Sequence, residues 1–231
     1  NLELLAEPVL VHRAQALCYA WIYLDDHGLE EIDVQMTYAH LDTEMIKRFR
    51  ETMTREELES WYQRLLDSYH KWLSYQMKWR EERNRSMEKL EFPFTYRKGQ
   101  KEMVAGIYHA ISRKEQIFIQ APTGVGKTMS AVFPAVRSIG EGKAETLFYL
   151  TARTITRTVA QDAFEILRKN GLLFKTVTIT AKEKLCFCEK PECNPETCPY
   201  AKGHYDRIND AVYELWTNEQ SFDRETILRQ A

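Results

Sequence analysis

Long apolar runs are missing from this chain of 231 residues, and none reaches the length needed to span a bilayer. The N-terminus has no basic segment followed by an apolar one, so no secretory signal peptide is predicted. Internal repeats and low-complexity tracts are also absent. We therefore expect a cytoplasmic globular protein with no membrane partner. Because no methionine stands at position 1, we expect the chain to begin inside a longer protein.

The charge is unevenly distributed along the chain. The net charge is −2, with 44% hydrophobic and 29% charged residues, which is ordinary for a globular protein. Residues 1–92 hold 12 Lys and Arg against 18 Asp and Glu, whereas residues 93–231 hold 20 against 16. Only the second part would attract phosphate backbones, although its excess alone does not establish nucleic-acid binding.

The first 91 residues have a mainly helical pattern. Apolar spacing predicts a helix at 8–27, and alternation predicts a strand at 32–38. Residues 42–90 also have a helical pattern, and the capping box from Thr54 to Glu57 predicts a fresh helix that runs to about Leu90. We expect the Trp and Tyr stripe of this helix to pack on a neighbouring element.

After the helix-breaking Phe92-Pro93-Phe94, strands and helices alternate. Strands are predicted at 116–120, 146–151 and 174–180, and helices at 100–113, 127–140, 154–170, 206–217 and 223–231. This order indicates an α/β fold with a parallel sheet. We predict four segments: an N-terminal segment at 1–40, a helical linker at 41–91, the first part of an ATP-binding domain at 92–180, and a Cys-rich insertion with the helices that follow it at 181–231.

A phosphate-binding loop lies between a predicted strand and a predicted helix, the context that this motif requires. Its residues are Ala121, Pro122, Thr123, Gly124, Val125, Gly126, Lys127 and Thr128. Gly124 and Gly126 allow backbone N–H groups to line an anion-binding concavity, and the helix dipole reinforces it. Lys127 is placed to reach the β- and γ-phosphates and Thr128 to bind Mg²⁺, so these two are the candidate catalytic residues of an ATP and Mg²⁺ site. Ala121 departs from the strict motif, which begins with Gly.

The flanking segments resemble motifs of superfamily 2 helicases of the XPD/DinG family. Residues 94–100 match the adenine-side glutamine motif, 121–128 motif I, and 147–154 motif Ia. This resemblance covers about residues 92–231 and implies a RecA-like domain in which Arg97 and Gln100 contact adenine. It also implies that Thr151, Arg153 and Thr154 contact the backbone of single-stranded DNA. An Arg and two hydroxyls at the carboxyl end of a strand suit phosphate binding.

Four cysteines fall within thirteen residues, at Cys186, Cys188, Cys193 and Cys198. In a reducing compartment such a group is more often a metal site than a disulfide framework. Thiolates bind both zinc and iron–sulfur clusters, but the paired Cys-x-x-Cys spacing of structural zinc sites is absent. The resemblance implies a [4Fe–4S] cluster, because the family carries a four-Cys insertion after motif Ia. Zinc stays open as an alternative, as does whether Cys186 and Cys188 both ligate.

The N-terminal helix contains Gln15-x-x-x-Tyr19, followed by the predicted strand. Together these resemble the end of a RecB- or Cas4-like nuclease domain of the PD-(D/E)xK type. Only fourteen residues precede Gln15, and they hold none of the acid–lysine set that such nucleases need, so we do not expect this chain to cut DNA. The alternative is a plain helical accessory domain.

The combined motifs predict part of an ATP-dependent DNA helicase that moves 5′→3′ on single strands, with single-stranded DNA and duplex junctions as partners. Its expected setting is DNA repair or replication. No Asp-Glu-x-His box is present, so we expect this chain alone to hydrolyse almost no ATP. Two alternatives remain: a zinc-bound nucleic-acid or protein adaptor on a P-loop scaffold, and a P-loop phosphotransferase.

Overall fold

The computed structural model describes residues 2, 5–152, 155–189 and 192–230, except the side chains of residues 155, 156 and 206. The chain folds into two compact units, Asn1–Ser74 and Tyr75–Ala231. Within the described residues, no helix combines the length and apolarity that crossing a membrane requires. Helices and small sheets make the fold mixed α/β, as predicted.

The first unit begins with helix α1, Leu10–His27, which confirms the first predicted helix. Leu17 and Leu24 are fully buried on its inner face. The helix ends at Gly28, whose φ of 63° lies in the left-handed region that glycine adopts without strain. The backbone N–H of Gly28 donates to the carbonyl of Asp25 and so caps the last turn.

Strands β1, Glu31–Ala39, and β2, Ile46–Thr54, form an antiparallel hairpin. β1 confirms the predicted strand, but the helical pattern assigned to residues 42–53 was wrong. The half-buried positions of β2 include the charged Glu51, and this obscures the apolar alternation by which a strand is recognised. Both carboxylate oxygens of Glu51 accept hydrogen bonds from the Arg13 guanidinium, at 2.9 and 2.7 Å.

Helix α2, Arg55–Glu88, begins at the predicted capping box. The Thr54 backbone N–H donates to the Glu57 carboxylate at 3.0 Å, and the Glu57 N–H donates to the Thr54 hydroxyl at 3.3 Å. These reciprocal bonds satisfy two N–H groups that a helix start otherwise leaves unpaired. In the first unit, Leu58 of α2 is fully buried and Trp61 packs against the same core.

The second unit contains the last turns of α2 and three helices with the predicted bounds or nearly so: α3 at Gln100–Arg113, α4 at Lys127–Gly140 and α5 at Ile155–Lys169. Apolar side chains from α2, α4 and α5 form its core. The buried members are Met87, Leu90, Met129, Val132, Phe133, Val136, Ile139, Ala163, Phe164, Leu167 and Leu172. Since nearly every turn of α4 is buried, the N-terminus of α4 is held firmly in place.

The predicted parallel sheet is present in the described residues only as a short pair, β3 at Thr176–Val177 beside β4 at Ser221–Phe222. The runs at 116–120 and 146–151 are not strands, so these two predictions were wrong for the chain as described. Strand structure requires backbone pairing with a neighbour, and neither run is paired in a sheet. Phe118 and Leu150 accordingly remain 94% and 88% exposed.

Arg168 of α5 holds the short sheet to the helix layer. Its guanidinium donates to the carbonyls of Phe174 and Gln220, at 2.9 Å in each case, and to the Thr176 hydroxyl at 2.7 Å. The Arg168 side chain is only 11% exposed. The loop before β3 and the residue before β4 therefore share one buried cation.

A 3-10 turn at Lys182–Lys184 precedes the cysteines, and helices α6, His204–Asn218, and α7, Arg224–Gln230, follow them. Both helices were predicted. Tyr75 packs edge-on against Trp216 at 4.9 Å and donates to the Trp216 carbonyl at 3.2 Å. Lys175 lies 4.3 Å from the ring centre of Trp79 and donates to the Glu219 carbonyl at 2.6 Å. These contacts confirm the packing role predicted for the aromatic stripe of α2 at Tyr75 and Trp79, whereas Tyr69 of the same stripe is 60% exposed.

Candidate nucleotide site and cysteine cluster

The phosphate-binding loop turns through two glycines with left-handed backbone. Gly124 has a φ of 82° and Gly126, the N-cap of α4, has a φ of 84°. Side-chain-bearing residues rarely adopt such angles, so the sequence needs glycine at both positions. The turn leads directly into α4, whose N-terminal N–H groups and dipole favour an anion.

Lys127 is the first residue of α4, and its side chain reaches back over the loop. The ammonium donates to the carbonyl of Ala121 at 3.0 Å and to that of Pro122 at 2.8 Å. The next residue, Thr128, is half-buried, and its hydroxyl accepts a hydrogen bond from Tyr149 at 3.4 Å. Two candidate catalytic groups thus lie side by side at the loop, one cationic and one a neutral oxygen donor.

The residues predicted to contact adenine lie against the loop. The Arg97 guanidinium donates to the Gly124 carbonyl, and the Arg97 backbone N–H donates to the Gln100 side-chain oxygen at 3.0 Å. Gln100 is only 3% exposed. A Cβ built on Gly126 would lie 2.5 Å from the Gln100 side-chain nitrogen, so the two residues are in direct packing contact. The structure therefore brings together two motifs that are separated in sequence by the whole of α3.

Beside the loop lies an open cavity of about 340 Å³. Its lining residues are Lys98, Gly99, Met103, Ile119, Gln120, Ala121, Pro122 and Val125. This volume is at the lower end of the range of small-molecule sites. Apolar atoms from Met103 and Val125 face the same space as the charged Lys98, which suits a flat, partly polar ring next to an anion.

The predicted DNA contacts are only partly visible. Thr151 is exposed at the end of the run 146–151, while Arg153 and Thr154 lie outside the described residues. A feature that the sequence did not signal is Arg157, in the first turns of α5. Its Nε is buried without a hydrogen-bond partner, the one such side-chain nitrogen or oxygen in the part of the chain that the structure describes.

The four clustered cysteines are all half-buried free thiols on the segment between the 3-10 turn and α6. The sulfurs of Cys188 and Cys198 lie 3.9 Å apart. The Cys186 sulfur accepts the Cys188 backbone N–H at 3.4 Å, and the neighbouring Cys193 thiol raises the pKa of the Lys182 ammonium. Cys193 itself has a left-handed φ of 51°.

The two facing thiols have opposite electrostatic environments. Burial, with Cys198 as the next contributor, raises the pKa of the Cys188 thiol to about 11. The backbone N–H of Ala201, followed by that of Tyr200, lowers the pKa of Cys198. Such N–H groups stabilise a thiolate in the way that they stabilise any anion.

The cysteine segment has the right side chains to bind a metal ion or an iron–sulfur cluster, but these side chains are not arranged around a common point. Four thiols are the ligand set of zinc and iron–sulfur sites. Among the residues that the structure describes, however, no group of three or more Cys, His, Asp or Glu side chains comes close enough to hold an ion. The thiols are gathered in one segment, where the Cys188 sulfur lies 3.9 Å from that of Cys198 and also interacts with the Cys186 thiol.

Comparison with known proteins finds a family match in the middle of the chain. Residues 97–194 match the family model described as DEAD/DEAH box helicase. The match contains Arg97, Gln100 and the phosphate-binding loop, and it ends within the cysteine cluster. It supports a helicase superfamily, a RecA-like fold for this part of the chain, and a helicase-type, nucleic-acid-dependent ATPase that uses ATP and Mg²⁺. No curated protein and no solved structure matches the chain.

Proposed function

We propose that this chain is the ATP-binding part of an XPD/DinG-type iron–sulfur DNA helicase that acts in the cytoplasm on single-stranded DNA and duplex junctions. It would move 5′→3′ in DNA repair or replication. The segment at 1–40 would be the tail of a RecB- or Cas4-like nuclease domain, and 41–91 a helical linker. The proposal rests above all on one observation, the contact of Arg97 and Gln100 with the glycines of the phosphate-binding loop.

This contact favours a helicase because a P-loop alone is shared by kinases, GTPases and transporters. A buried glutamine places an amide, which both donates and accepts hydrogen bonds, against the turn of the loop, and a cavity of ring-binding size opens beside the same loop. Adenine presents one donor and one acceptor on its exposed edge, so an amide matches it. Gln100 and Arg97 would therefore select the base while residues 121–128 bind the phosphates.

Phosphate binding would use groups that are already in position. The Lys127 ammonium, now held by two loop carbonyls, would exchange them for β- and γ-phosphate oxygens. The Thr128 hydroxyl would exchange its bond from Tyr149 for Mg²⁺, which prefers oxygen ligands. Both exchanges need only side-chain rotation, because α4 is fixed by its buried face.

DNA binding would use Thr151, Arg153 and Thr154. Two observations support a phosphate backbone at this point. Residues 93–231 have an excess of positive charge, and the Arg157 side chain carries a buried nitrogen without a partner. An unsatisfied guanidinium N–H is costly, and a phosphate oxygen would satisfy it.

The cluster ligands would be Cys186, Cys188, Cys193 and Cys198. When bound, a [4Fe–4S] cluster supplies a rigid cross-link and a one-electron redox centre. The chain's own contribution is to hold the segment at both ends. The Arg224 guanidinium donates to the Lys184 carbonyl at 2.9 Å, and α6 is fixed at its far end by Lys175 and Tyr75.

Binding measurements on this chain test the nucleotide site. We expect Lys127→Ala to weaken binding of a fluorescent ATP analogue by at least about tenfold, since a charge-assisted hydrogen bond contributes about 1.5–3 kcal/mol. The matched control is Lys169→Ala, an exposed lysine at the end of α5, which should bind like the parent chain. Equal binding by Lys127→Ala and the parent would reject the site.

Metal analysis and oligonucleotide binding separate the proposed helicase from its alternatives. Anaerobically purified protein should be brown, absorb near 400 nm and contain iron; a colourless sample with stoichiometric zinc would favour an adaptor. Single-stranded DNA should bind more tightly than RNA of the same sequence, and ATP should change that affinity. A nucleotide site with no coupling to single-stranded DNA would favour a phosphotransferase.

A further inference from the structure

The four clustered thiols are not equivalent in their surroundings. Cys186 faces a backbone N–H, and Cys193 faces the Lys182 ammonium. Cys188 and Cys198, ten residues apart in sequence, face each other with 3.9 Å between their sulfurs. The fold thus pairs two particular cysteines out of the four.

We propose that Cys188 and Cys198 are a redox modification site: without bound metal they form a reversible disulfide, and this bond closes the metal site. The first half of this proposal stands on the geometry of the pair alone. The second half rests on the proposed role of the four cysteines as metal ligands.

The two sulfurs already lie near each other. A disulfide requires sulfurs about 2.05 Å apart, so the sulfurs must approach by about 2 Å from their present separation of 3.9 Å. The described residues between the 3-10 turn and α6, 185–189 and 192–203, form no helix or regular strand that would oppose this approach. Both thiols are half-buried and so remain accessible to a small oxidant.

Thiol–disulfide exchange with a low-molecular-weight disulfide such as oxidised glutathione supplies the chemistry. One thiol of the pair loses its proton to solvent, and its thiolate attacks one glutathione sulfur, which breaks the S–S bond of the oxidant and releases one glutathione thiolate. The other thiol then loses its proton to solvent and attacks the protein sulfur of this mixed disulfide, which releases the second glutathione thiolate. The protein loses two protons and two electrons, and the oxidant takes them up to become two glutathione molecules.

The bond would withdraw two of four ligands at once. A cross-linked pair offers no thiolate, and Cys186 and Cys193 alone cannot complete a four-ligand site. Thiol reduction would restore all four. Oxidation before metal insertion would therefore prevent metal binding, and a reducing environment would restore it.

Disulfide mapping tests the pairing. The metal-free chain, with Cys18→Ser to remove the thiol outside the cluster, is treated with oxidised glutathione, alkylated, digested and analysed by mass spectrometry. We expect one cross-linked species, Cys188 to Cys198, lighter by two hydrogens. Cys186→Ser and Cys193→Ser should still form it, whereas Cys188→Ser and Cys198→Ser should not and should carry a mixed disulfide with glutathione. A mixture of pairings, or a dominant bond that includes Cys186 or Cys193, would refute the proposal.

Zinc binding, with Zn²⁺ alone as the probe, tests the closing of the site. The reduced chain should bind Zn²⁺ stoichiometrically, and the oxidised chain should bind none until a thiol reductant is added. Undiminished Zn²⁺ binding by the mapped Cys188–Cys198 form would overturn the closing role. A reduced chain that binds neither Zn²⁺ nor iron would instead refute the proposed metal function and leave the mapped pair standing. Circular dichroism of each variant confirms that the comparison is made between folded chains.

Discussion

Replacing Gly126 with alanine probes the contact that joins the two nucleotide motifs. The new methyl group would lie 2.5 Å from the side-chain nitrogen of Gln100, closer than two such atoms can approach. Gln100 is 3% exposed, and its oxygen is held by the Arg97 backbone N–H at 3.0 Å. The amide can therefore move away only by giving up that hydrogen bond within a buried site.

The expected loss of stability in Gly126→Ala has two contributions. An alanine at a φ of 84° costs about 1–2 kcal/mol in backbone strain. Displacement of Gln100 leaves a buried polar group unsatisfied, which costs about 1–3 kcal/mol more. Gly124→Ala is the matched control, since Gly124 has a φ of 82° but no atom within 4 Å of the added Cβ. Gly124→Ala should therefore cost only the first part, and the difference between the two variants isolates the Gln100 contact.

Hydrogen exchange of the α4 amides, followed by mass spectrometry, measures this difference locally, and urea unfolding followed by circular dichroism measures it for the whole chain. We expect Gly126→Ala to lower the opening free energy of α4 by about 1–3 kcal/mol more than Gly124→Ala does. In a Gln100→Ala background the two glycine variants should become equal, because the obstructing side chain has gone. Equal destabilisation in the parent background would refute the reasoning, as would a difference that persists without Gln100.

Three further predictions concern the second unit, and urea unfolding measures each. Arg168→Met should lower the unfolding free energy by about 1–3 kcal/mol, because it removes a guanidinium only 11% exposed that donates to the Phe174 carbonyl. Arg229→Met, with a side chain 67% exposed, should cost under about 1 kcal/mol. Similar losses in the two variants would contradict the role given to the buried cation. Gly140→Ala should lower the unfolding free energy by about 1–3 kcal/mol, because its Cβ would lie 2.6 Å from Met87 in the core. Gly106→Ala is the control: its Cβ would lie 3.4 Å from the nearest atom, so it should stabilise α3 by up to about 1 kcal/mol. An unchanged unfolding free energy for Gly140→Ala would disprove the close approach to Met87. Burial lowers the pKa of Lys175 from 10.5 to about 8, so as the pH rises the folded chain releases this proton before the unfolded chain does. The unfolding free energy should therefore rise between about pH 8 and 10.5. Lys175→Met should flatten this rise, and an unchanged slope would exclude Lys175 as its source.

Helices were predictable here because their information is local. The bounds of α3 and α4 follow from apolar spacing and from glycines at Gly99 and Gly126, all of which can be read within one segment. The start of α2 follows from four adjacent residues that satisfy each other's hydrogen bonds. No distant residue had to be known for these three predictions.

The strand predictions were wrong in two opposite ways: one strand was missed, and two were predicted that did not form. Both errors depend on partner residues that lie far along the chain. β2 was missed because Glu51 faces inward, where it is stabilised by Arg13, 38 residues away. The runs at 116–120 and 146–151 have the composition of buried strands, yet neither is paired among the described residues. Composition expresses a preference for a pleated, half-buried surface, and only a hydrogen-bonded neighbour realises it.

The cysteine segment shows the same limit for a site. The four residues can be found from their types and spacing, but nothing local shows that Cys188 faces Cys198 while Cys193 faces Lys182. Those pairings depend on the path of the chain through its turns. The candidate metal ligands were thus predictable as a set, and the pairing within the set was not.

The nucleotide site was predictable in part: its two motifs could be found from the sequence, but the contact between them could not. The loop and the glutamine motif are each recognisable alone, but their contact is tertiary, formed where α3 brings Gln100 against Gly126. If Gln100 also binds adenine, as the resemblance implies, one side chain touches both the base and the turn that binds the phosphates. Gln100→Ala should then reduce the preference for ATP over GTP and also increase hydrogen exchange at the N-terminus of α4. A variant that loses base preference while exchange at α4 stays unchanged would show that the two ends of the nucleotide are read independently.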